Sequence, residues 1–303
     1  LAISCQYLGD THTALGNLKL ALTYFEQCNQ FEKELFDAYP HNVEFKNSLA
    51  ISCQYLGDTH TALGNLELAL TYFEQYHQLE KELFDAYPHN VEFKNGLAIS
   101  YSKLGDTHTA LGNLKLALTY FEQCNQFEKE LFDAYPHNVE FKNSLAISCQ
   151  YLGDTHTALG NLKLALTYFE QCNQFEKELF DAYPHNVEFK NSLAISCQYL
   201  GDTHTALGNL ELALTYFEQY HQLEKELFDA YPHNVRFKNG LVLSYQWLGW
   251  FYEDKFQDLN QAQAYYRQSR NLLLELVSSS PDHAQFKQNL DWVTSRLPDE
   301  ADE

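Results

Sequence analysis

Methionine, basic residues and long apolar runs are absent or scarce in this chain of 303 residues. No run of about 18 apolar residues occurs, so the sequence predicts no membrane-spanning helix. The first residues lack the basic start and the apolar stretch of a signal peptide. The chain has no methionine and begins within a repeated pattern. We therefore expect a fragment that continues upstream of Leu1.

Basic residues number 20 against 41 acidic ones, which gives a formal net charge of −21. Binding to nucleic acid through its phosphates needs a basic surface, and so does binding to anionic membranes. The sequence therefore argues against both kinds of partner. A protein or peptide partner that is basic or polar rather than acidic fits the charge better. The alternative is that the charge only keeps the chain soluble.

Motifs for metal binding and catalysis are also missing. There is no CxxC pair, no HExxH, no GxSxG and no glycine-rich phosphate loop. Most of the 13 histidines come from two slots of the repeat described below. Copies of a slot would lie roughly 20 Å apart, since each repeat stacks two helices, and this is too far to share a metal ion. We expect no catalytic site, no metal, no cofactor and no enzyme.

The seven cysteines are odd in number and widely spaced. Tyr76 and Tyr220 occupy a slot that holds cysteine in other repeats, and tyrosine cannot replace a disulfide partner. We expect free thiols that act as small buried apolar residues in a reducing cytoplasm. The cysteines are Cys5, Cys28, Cys53, Cys124, Cys149, Cys172 and Cys197.

A repeat of 48 residues is the main feature that the chain does have. Its copies begin at Leu1, Leu49, Leu97, Leu145, Leu193 and, in a diverged form, Leu241. A fixed period of this length is typical of a solenoid, in which each unit buries its apolar face against its neighbours. Such proteins usually bind partners along an extended surface.

Two helices are predicted in each repeat. In the second repeat Asn42 can cap a first helix, whose apolar positions recur every three or four residues from Phe45 onward. The pair Gly64-Asn65 interrupts the pattern, and a second helix is expected from about Leu66 to Tyr87, where a proline follows. No stretch is predicted to be a strand, so each repeat is expected to be a helical hairpin.

Aromatic, Leu-Gly, small and proline residues recur at fixed spacing in each repeat. In the third repeat the pattern is Tyr101-x2-Leu104-Gly105-x2-His108, Ala117-x3-Phe121 and Pro136. In the sixth it is Tyr245-x2-Leu248-Gly249-x2-Tyr252, Ala262-x3-Tyr266 and Pro281. This resembles the tetratricopeptide repeat, whose pattern is W-x2-L-G-x2-Y, A-x3-F and P over about 34 residues. The resemblance implies an all-α, right-handed αα-superhelical solenoid, here with both helices about two turns longer than usual.

One solenoid is expected over residues 1–297, followed by an acidic tail over residues 298–303. Its repeats would span residues 1–48, 49–96, 97–144, 145–192, 193–240 and 241–281. Residues 282–297 match the start of a first helix, since Phe286 and Leu290 correspond to Phe45 and Leu49. Charged residues at the exposed positions are typical of a helix that caps the last repeat.

A concave groove lined by the first helices is also implied by the resemblance. In the second repeat its positions would be Glu44, Asn47, Ile51, Gln54, Asp58 and Thr61. We call this set and its equivalents in the other repeats the first-helix stripe. Asp10, Asp58, Asp106, Asp154 and Asp202 would form an acidic ladder along it. Family members that bind the carboxylate of a C-terminal peptide have Lys and Asn in such slots, whereas this chain has Gln and Asp, so an acidic C-terminal peptide is not expected. The alternative to a binding role is that the stripe is a solvated helix face without a partner.

All three tryptophans are predicted to point toward one end of the groove. Trp250 takes the slot of the aspartate ladder, Trp247 lies beside it, and Trp292 on the cap helix falls at the slot of Ile51. Aromatic residues are enriched where binding energy is concentrated, which favours a partner-binding role. The alternative is that the tryptophans seal the terminal core against the cap helix.

The resemblance implies a protein–protein interaction module that binds a peptide or protein along the groove. The array is similar to the C-terminal sensor arrays of bacterial multidomain signalling or defence proteins, in which upstream domains are controlled by the repeats. The alternative hypothesis is a structural scaffold that self-associates and has no cognate ligand.

Overall fold

A computed structural model describes residues 1–298, and only helices and turns occur among them. All but the first residue of the expected acidic tail therefore lies outside the described part. The first compact unit, Leu1–Gly160, contains α1 (Ala2–Ala14), α2 (Leu18–Ala38), α3 (Val43–Ala62), α4 (Leu66–Ala86), α5 (Val91–Ala110), α6 (Leu114–Ala134) and α7 (Val139–Ala158). The second unit begins at Asn161 and contains α8 (Leu162–Ala182), α9 (Val187–Ala206), α10 (Leu210–Ala230), α11 (Val235–Phe251), α12 (Leu259–Ser279) and α13 (Ala284–Thr294).

Caps and turns explain where the helices begin and end. The Asn42 side chain accepts a hydrogen bond from the backbone N–H of Phe45 at 3.2 Å, which satisfies a free donor at the start of α3. Between α3 and α4, Gly64 has φ +78°, a conformation that a residue with a Cβ atom rarely adopts. This allows the backbone N–H of Asn65 to reach the carbonyl of His60 at 2.8 Å. The expected hairpins and their turns are confirmed.

Close approach of the two helices of a hairpin depends on small residues. A Cβ atom at Gly57 of α3 would collide with the Phe73 ring of α4, and Ala69 of α4 is completely buried. Consecutive helices pack against each other within each compact unit, so the first helices α3, α5, α9 and α11 are each covered by second helices on two sides. The fold class is all-α, built from helical hairpins with a capping helix at the C-terminal end.

The cysteines are all buried, and all seven are free thiols. In the repeats that carry tyrosine instead, Tyr76 donates a hydrogen bond to the Gly96 carbonyl at 3.2 Å, and Tyr220 does the same to Gly240 at 3.4 Å. At both glycines the space that a Cβ atom would fill is taken by a glutamate carboxyl group of the preceding helix. The thiols contribute apolar volume, as the sequence predicts.

The sixth repeat departs from the others in its turn. A five-residue π-helical turn, Tyr252–Phe256, extends α11, and Gln257 takes a left-handed conformation at φ 56°. The capping helix α13 buries Phe286 and Val293 against α12. It is shorter than the predicted residues 282–297 because it begins after His283 and its last residues form turns. That residues 1–297 form one continuous array stays a prediction.

Candidate functional site

In the first compact unit the first-helix stripe is mainly half-buried. Ile51, Gln54 and Asp58 are half-buried on α3, and Thr61 is exposed. The Asp58 carboxylate accepts a hydrogen bond from Lys103 of α5 at 2.6 Å, which makes an ion pair between neighbouring repeats. Lys103 was not predicted as a site residue. The signal was present in the sequence, since the other repeats have tyrosine or tryptophan in its slot.

Asp106 carries less charge than its formal value implies. It is accessible to solvent, yet protein atoms surround its carboxyl group, and this partial desolvation raises its pKa to about 6. The nearby Lys103 and a hydrogen bond with Tyr151 oppose part of the rise. Desolvation also raises the pKa of Asp10. Asp154 is half-buried on α7.

Asp202 represents the aspartate ladder in the second compact unit. Burial raises its pKa to about 7, and a hydrogen bond with Gln198 opposes the rise. Asp202 is therefore partly protonated near neutral pH. The two aspartates with quantified shifts, Asp106 and Asp202, gain negative charge as the pH rises from 6 to 8.

Aromatic stacking joins neighbouring repeats beside the ladder. Tyr55 stacks on Phe25 with ring centroids 4.9 Å apart, and Tyr199 stacks on Phe169 at 4.8 Å. In the sixth repeat Trp247 takes the tyrosine slot and stacks on Phe217 at 5.5 Å. The tryptophan thus extends a structural contact that the other repeats also make, and its larger ring adds surface.

The three tryptophans meet in one open cavity of about 520 Å³ between α11 and α13. We call it the tryptophan cavity. It is lined by Leu243, Gln246, Trp247, Trp250, Gln285, Gln288, Asn289 and Trp292. The structure therefore brings together the three tryptophans that the sequence placed at one end of the stripe.

Each indole has one side against the protein and another side on the cavity. Trp247 and Trp250 are perpendicular, with centroids 5.7 Å apart, and Trp250 also contacts Phe251 edge to face at 6.4 Å. Trp292 meets Tyr266 edge to face at 5.6 Å. All three indoles are half-buried. They support the terminal core and also leave ring surface open to solvent.

Charged groups lie near the indoles but do not line the cavity. The Lys255 ammonium is 5.2 Å from the Trp250 ring centroid, and the Arg296 guanidinium is 4.2 Å from that of Trp292. Lys255 pairs with Asp254 at 2.8 Å, and Arg296 lies 3.6 Å from Glu253. All lining residues are uncharged, and the Nε2 atom of Gln246 is buried without a hydrogen-bond acceptor.

A buried glutamate on the second helix of the repeats was missed by the sequence analysis. Glu32, Glu80, Glu128, Glu176 and Glu224 are buried. Burial raises the pKa of the last four to about 7. The spacing of Phe73, Tyr76, Glu80 and Leu83 along α4 could have indicated it, because these residues share one helical face.

Two kinds of feature are absent from residues 1–298. Within this range no group of three or more His, Cys, Asp and Glu side chains is arranged to hold a metal ion. Among the helices of the same range, none combines the length and the apolar character that crossing a membrane requires.

Comparison with protein families identifies the repeat. The model of the Tetratricopeptide repeat family matches residues 2–34, 98–130 and 146–178. These segments are tetratricopeptide repeats and lie in the first, third and fourth copies of the 48-residue unit, as the resemblance predicts. No curated protein matches the chain by sequence.

Solved structures with low sequence identity share the fold. BtubC (BKLC) from P. vanneervenii superimposes with a TM-score of 0.65 at 14% identity, over 86% of this chain and 92% of its own. A STAND protein with a tetratricopeptide repeat sensor from Pyrococcus horikoshii superimposes with a TM-score of 0.62 at 15% identity, over 96% of this chain and 38% of its own. A third structure is that of the Rap conjugation gene regulator of the plasmid pLS20 in complex with the Phr* peptide. It superimposes with a TM-score of 0.53 at 14% identity, over 96% of this chain and 72% of its own. At these identities the likeness concerns the fold alone.

Proposed function

We propose that this chain is a protein-interaction module that binds a peptide or an extended protein segment along the first-helix stripe. The tryptophan cavity is the observation that carries the proposal. Its volume of about 520 Å³ falls within the range of roughly 300–1,000 Å³ that is usual for ligand sites. Apolar rings with a few polar groups are also the usual lining of such sites. The module acts by binding alone, without catalysis, cofactor or metal.

Near-identical repeats create a problem of register for any partner. Five repeats offer almost the same side chains, so a segment could bind at several equivalent positions along them. The sixth repeat and α13 differ strongly and carry all three tryptophans of the chain. Large aromatic residues often contribute most of the binding energy of an interface. The tryptophan cavity would therefore fix where a bound segment begins.

The partner is proposed to be basic or polar along the remainder of the stripe. The formal charge of −21 and the aspartates of the ladder favour cations. Because the pKa values of Asp106 and Asp202 are raised, a bound cation would stabilise their charged forms and release protons. Nucleic acid is not proposed as a partner, since its phosphates would be repelled.

Two structural neighbours support a sensory role. One is a regulator solved with a peptide, and the other is a STAND protein described as having a tetratricopeptide repeat sensor. We propose that this chain is likewise the recognition part of a larger signalling or defence protein, with upstream domains that respond to binding. The cytoplasmic location expected from the thiols stays a prediction.

The test is selection of a random peptide library on the immobilised chain. Selected peptides should bind the unchanged protein, and Trp250→Ala should weaken binding by about 2 kcal/mol, the usual scale for a central aromatic residue. Leu274→Ala removes an exposed apolar side chain of α12, outside the stripe and the cavity, and serves as the control. A peptide that binds both variants equally well would place the site outside the tryptophan cavity and would refute the proposal.

A self-associating scaffold is the second candidate function. The observation that favours it is one exposed leucine in each of the first five repeats, near the start of the second helix, with between 43 and 51% of the residue accessible. These residues are Leu20, Leu68, Leu116, Leu164 and Leu212. Sedimentation of the unchanged chain and of a variant with these leucines replaced by glutamine distinguishes the two functions. Only the scaffold predicts an oligomer that the substitutions dissociate.

A further inference from the structure

The tryptophan cavity has the size and the walls to hold one side chain. Trp247 and Trp250 meet at 87° and form a corner, and Trp292 closes the cavity from α13. A ring already contacts Trp247 from the protein side, because Phe217 stacks on it. An aromatic side chain placed in the corner would meet indole surface from two directions. Offset and edge-to-face contacts of this kind are favourable between aromatic rings.

The charges around the cavity select against a charged side chain. Lys255 and Arg296 lie over the rings of Trp250 and Trp292, and no residue that lines the cavity is acidic, so a basic group from a ligand would find no counter-ion there. An acidic group would find these two cations already near Asp254 and Glu253. Burying a charge without a partner is costly, which leaves an uncharged side chain as the fitting occupant.

Amide side chains supply the polar part of the cavity. Gln285 donates a hydrogen bond to Asn289 at 2.8 Å, so these two amides already interact with each other. The Nε2 atom of Gln246 is buried and has no acceptor. A buried donor without a partner costs free energy, and rotation of the Gln246 amide toward the cavity, where a carbonyl oxygen of a ligand accepts from it, would remove that cost. Peptide backbone provides such a carbonyl beside every side chain.

From these observations, and resting on the proposed function, we propose that the tryptophan cavity binds one uncharged aromatic side chain of a peptide, with the Gln246 amide donating to the peptide carbonyl beside it. This site differs from the remainder of the first-helix stripe, where aspartates favour basic groups. A matching ligand therefore carries an aromatic residue at one end and polar or basic residues along the rest of its length.

The tryptophans also provide the assay. The chain has three tryptophans and all of them line the cavity, so three indole N–H signals in a nitrogen–proton NMR spectrum report on this site alone. The probes are end-blocked pentapeptides, Ser-Gly-X-Gly-Ser, in which X is phenylalanine, lysine or glutamate. We expect the phenylalanine peptide to shift all three signals in a saturable way, and the two charged peptides to leave them in place.

Gln246→Leu tests the hydrogen bond separately. This variant keeps a side chain of similar length and should bind the phenylalanine peptide about tenfold more weakly, as expected for one lost hydrogen bond. The matched control is Gln268→Leu, which changes an exposed glutamine of α12 outside the stripe and the cavity and should leave binding unchanged. Circular dichroism of both variants verifies that the helices are intact.

Several outcomes would overturn the inference. They are an absence of shifts with the phenylalanine peptide, equal shifts with the lysine or glutamate peptide, or equal affinities of Gln246→Leu and Gln268→Leu. The proposed function fails in a different way, when peptides selected on the whole chain bind independently of Trp250. Selected peptides that need Trp250 but present a charged residue to the cavity would overturn this inference and leave the proposed function in place.

Discussion

Replacing Glu80 by glutamine removes a carboxyl group that is buried on α4, with 3% of the residue exposed. Its Oε2 atom has no hydrogen-bond partner and lies so close to Gly96 that a Cβ atom there would collide with it. No cation contributes to its environment, and burial alone raises its pKa to about 7. Glutamine keeps the shape of the side chain and cannot ionise.

The magnitude follows from the difference in pKa between the folded and unfolded chains. The rise from 4.5 to about 7 corresponds to roughly 3 kcal/mol, at about 1.4 kcal/mol per pKa unit. The folded chain holds this proton to a higher pH than the unfolded chain does. The associated stability is therefore complete below pH 4.5 and is lost as the pH rises through 7. At pH 8 we expect Glu80→Gln to be more stable than the unchanged chain by about 2–3 kcal/mol, and at pH 4.5 about equally stable.

The assay is urea denaturation followed by circular dichroism at the two pH values. Because repeat arrays can unfold in steps, amide hydrogen exchange in α4 gives a local measure of the same quantity. Glu82→Gln is the matched control on the same helix. Glu82 is 43% exposed and accepts a hydrogen bond from Lys46 at 2.7 Å, which lowers its pKa.

The control should behave in the opposite way. Glu82→Gln removes an exposed ion pair and should lower the stability at pH 8 by less than about 1 kcal/mol. Equal effects of Glu80→Gln at the two pH values, or a loss of stability at pH 8, would refute the conclusion that this carboxyl group is desolvated in the folded chain.

Three further predictions concern the stripe, the packing and the thiols. Replacing Asp58, Asp106 and Asp154 by lysine should abolish binding of basic or polar peptides and leave the circular dichroism spectrum unchanged. Binding that persists would place the site outside the first-helix stripe. Gly57→Ala should lower the stability by about 1–3 kcal/mol through collision with Phe73, measured by denaturation, and a neutral result would contradict the packing. Mass spectrometry of fresh, non-reduced protein should show seven free thiols, and an intramolecular disulfide would contradict their assignment as buried free thiols.

Local features of the sequence determined the helices and turns of this protein. The caps at Asn42 and its equivalents, the glycine at position 64 and the proline after each second helix act within a few residues, so the sequence alone predicts them. The free thiols also follow from the sequence, since tyrosine replaces cysteine in sister repeats. The clustering of the tryptophans followed from aligning the cap helix with the repeats.

Tertiary structure decided which charges remain effective. Glutamate on a helix face is usually solvated, whereas Glu80 of α4 is buried and its carboxyl group lies against Gly96 of α5. Lys103 neutralises Asp58, an aspartate of the preceding repeat that lies 45 positions earlier in the chain. The carboxyl groups of Asp106 and Asp202 are likewise desolvated in the folded chain, which raises their pKa values. These effects depend on distances between repeats, and residue spacing within a repeat does not contain that information.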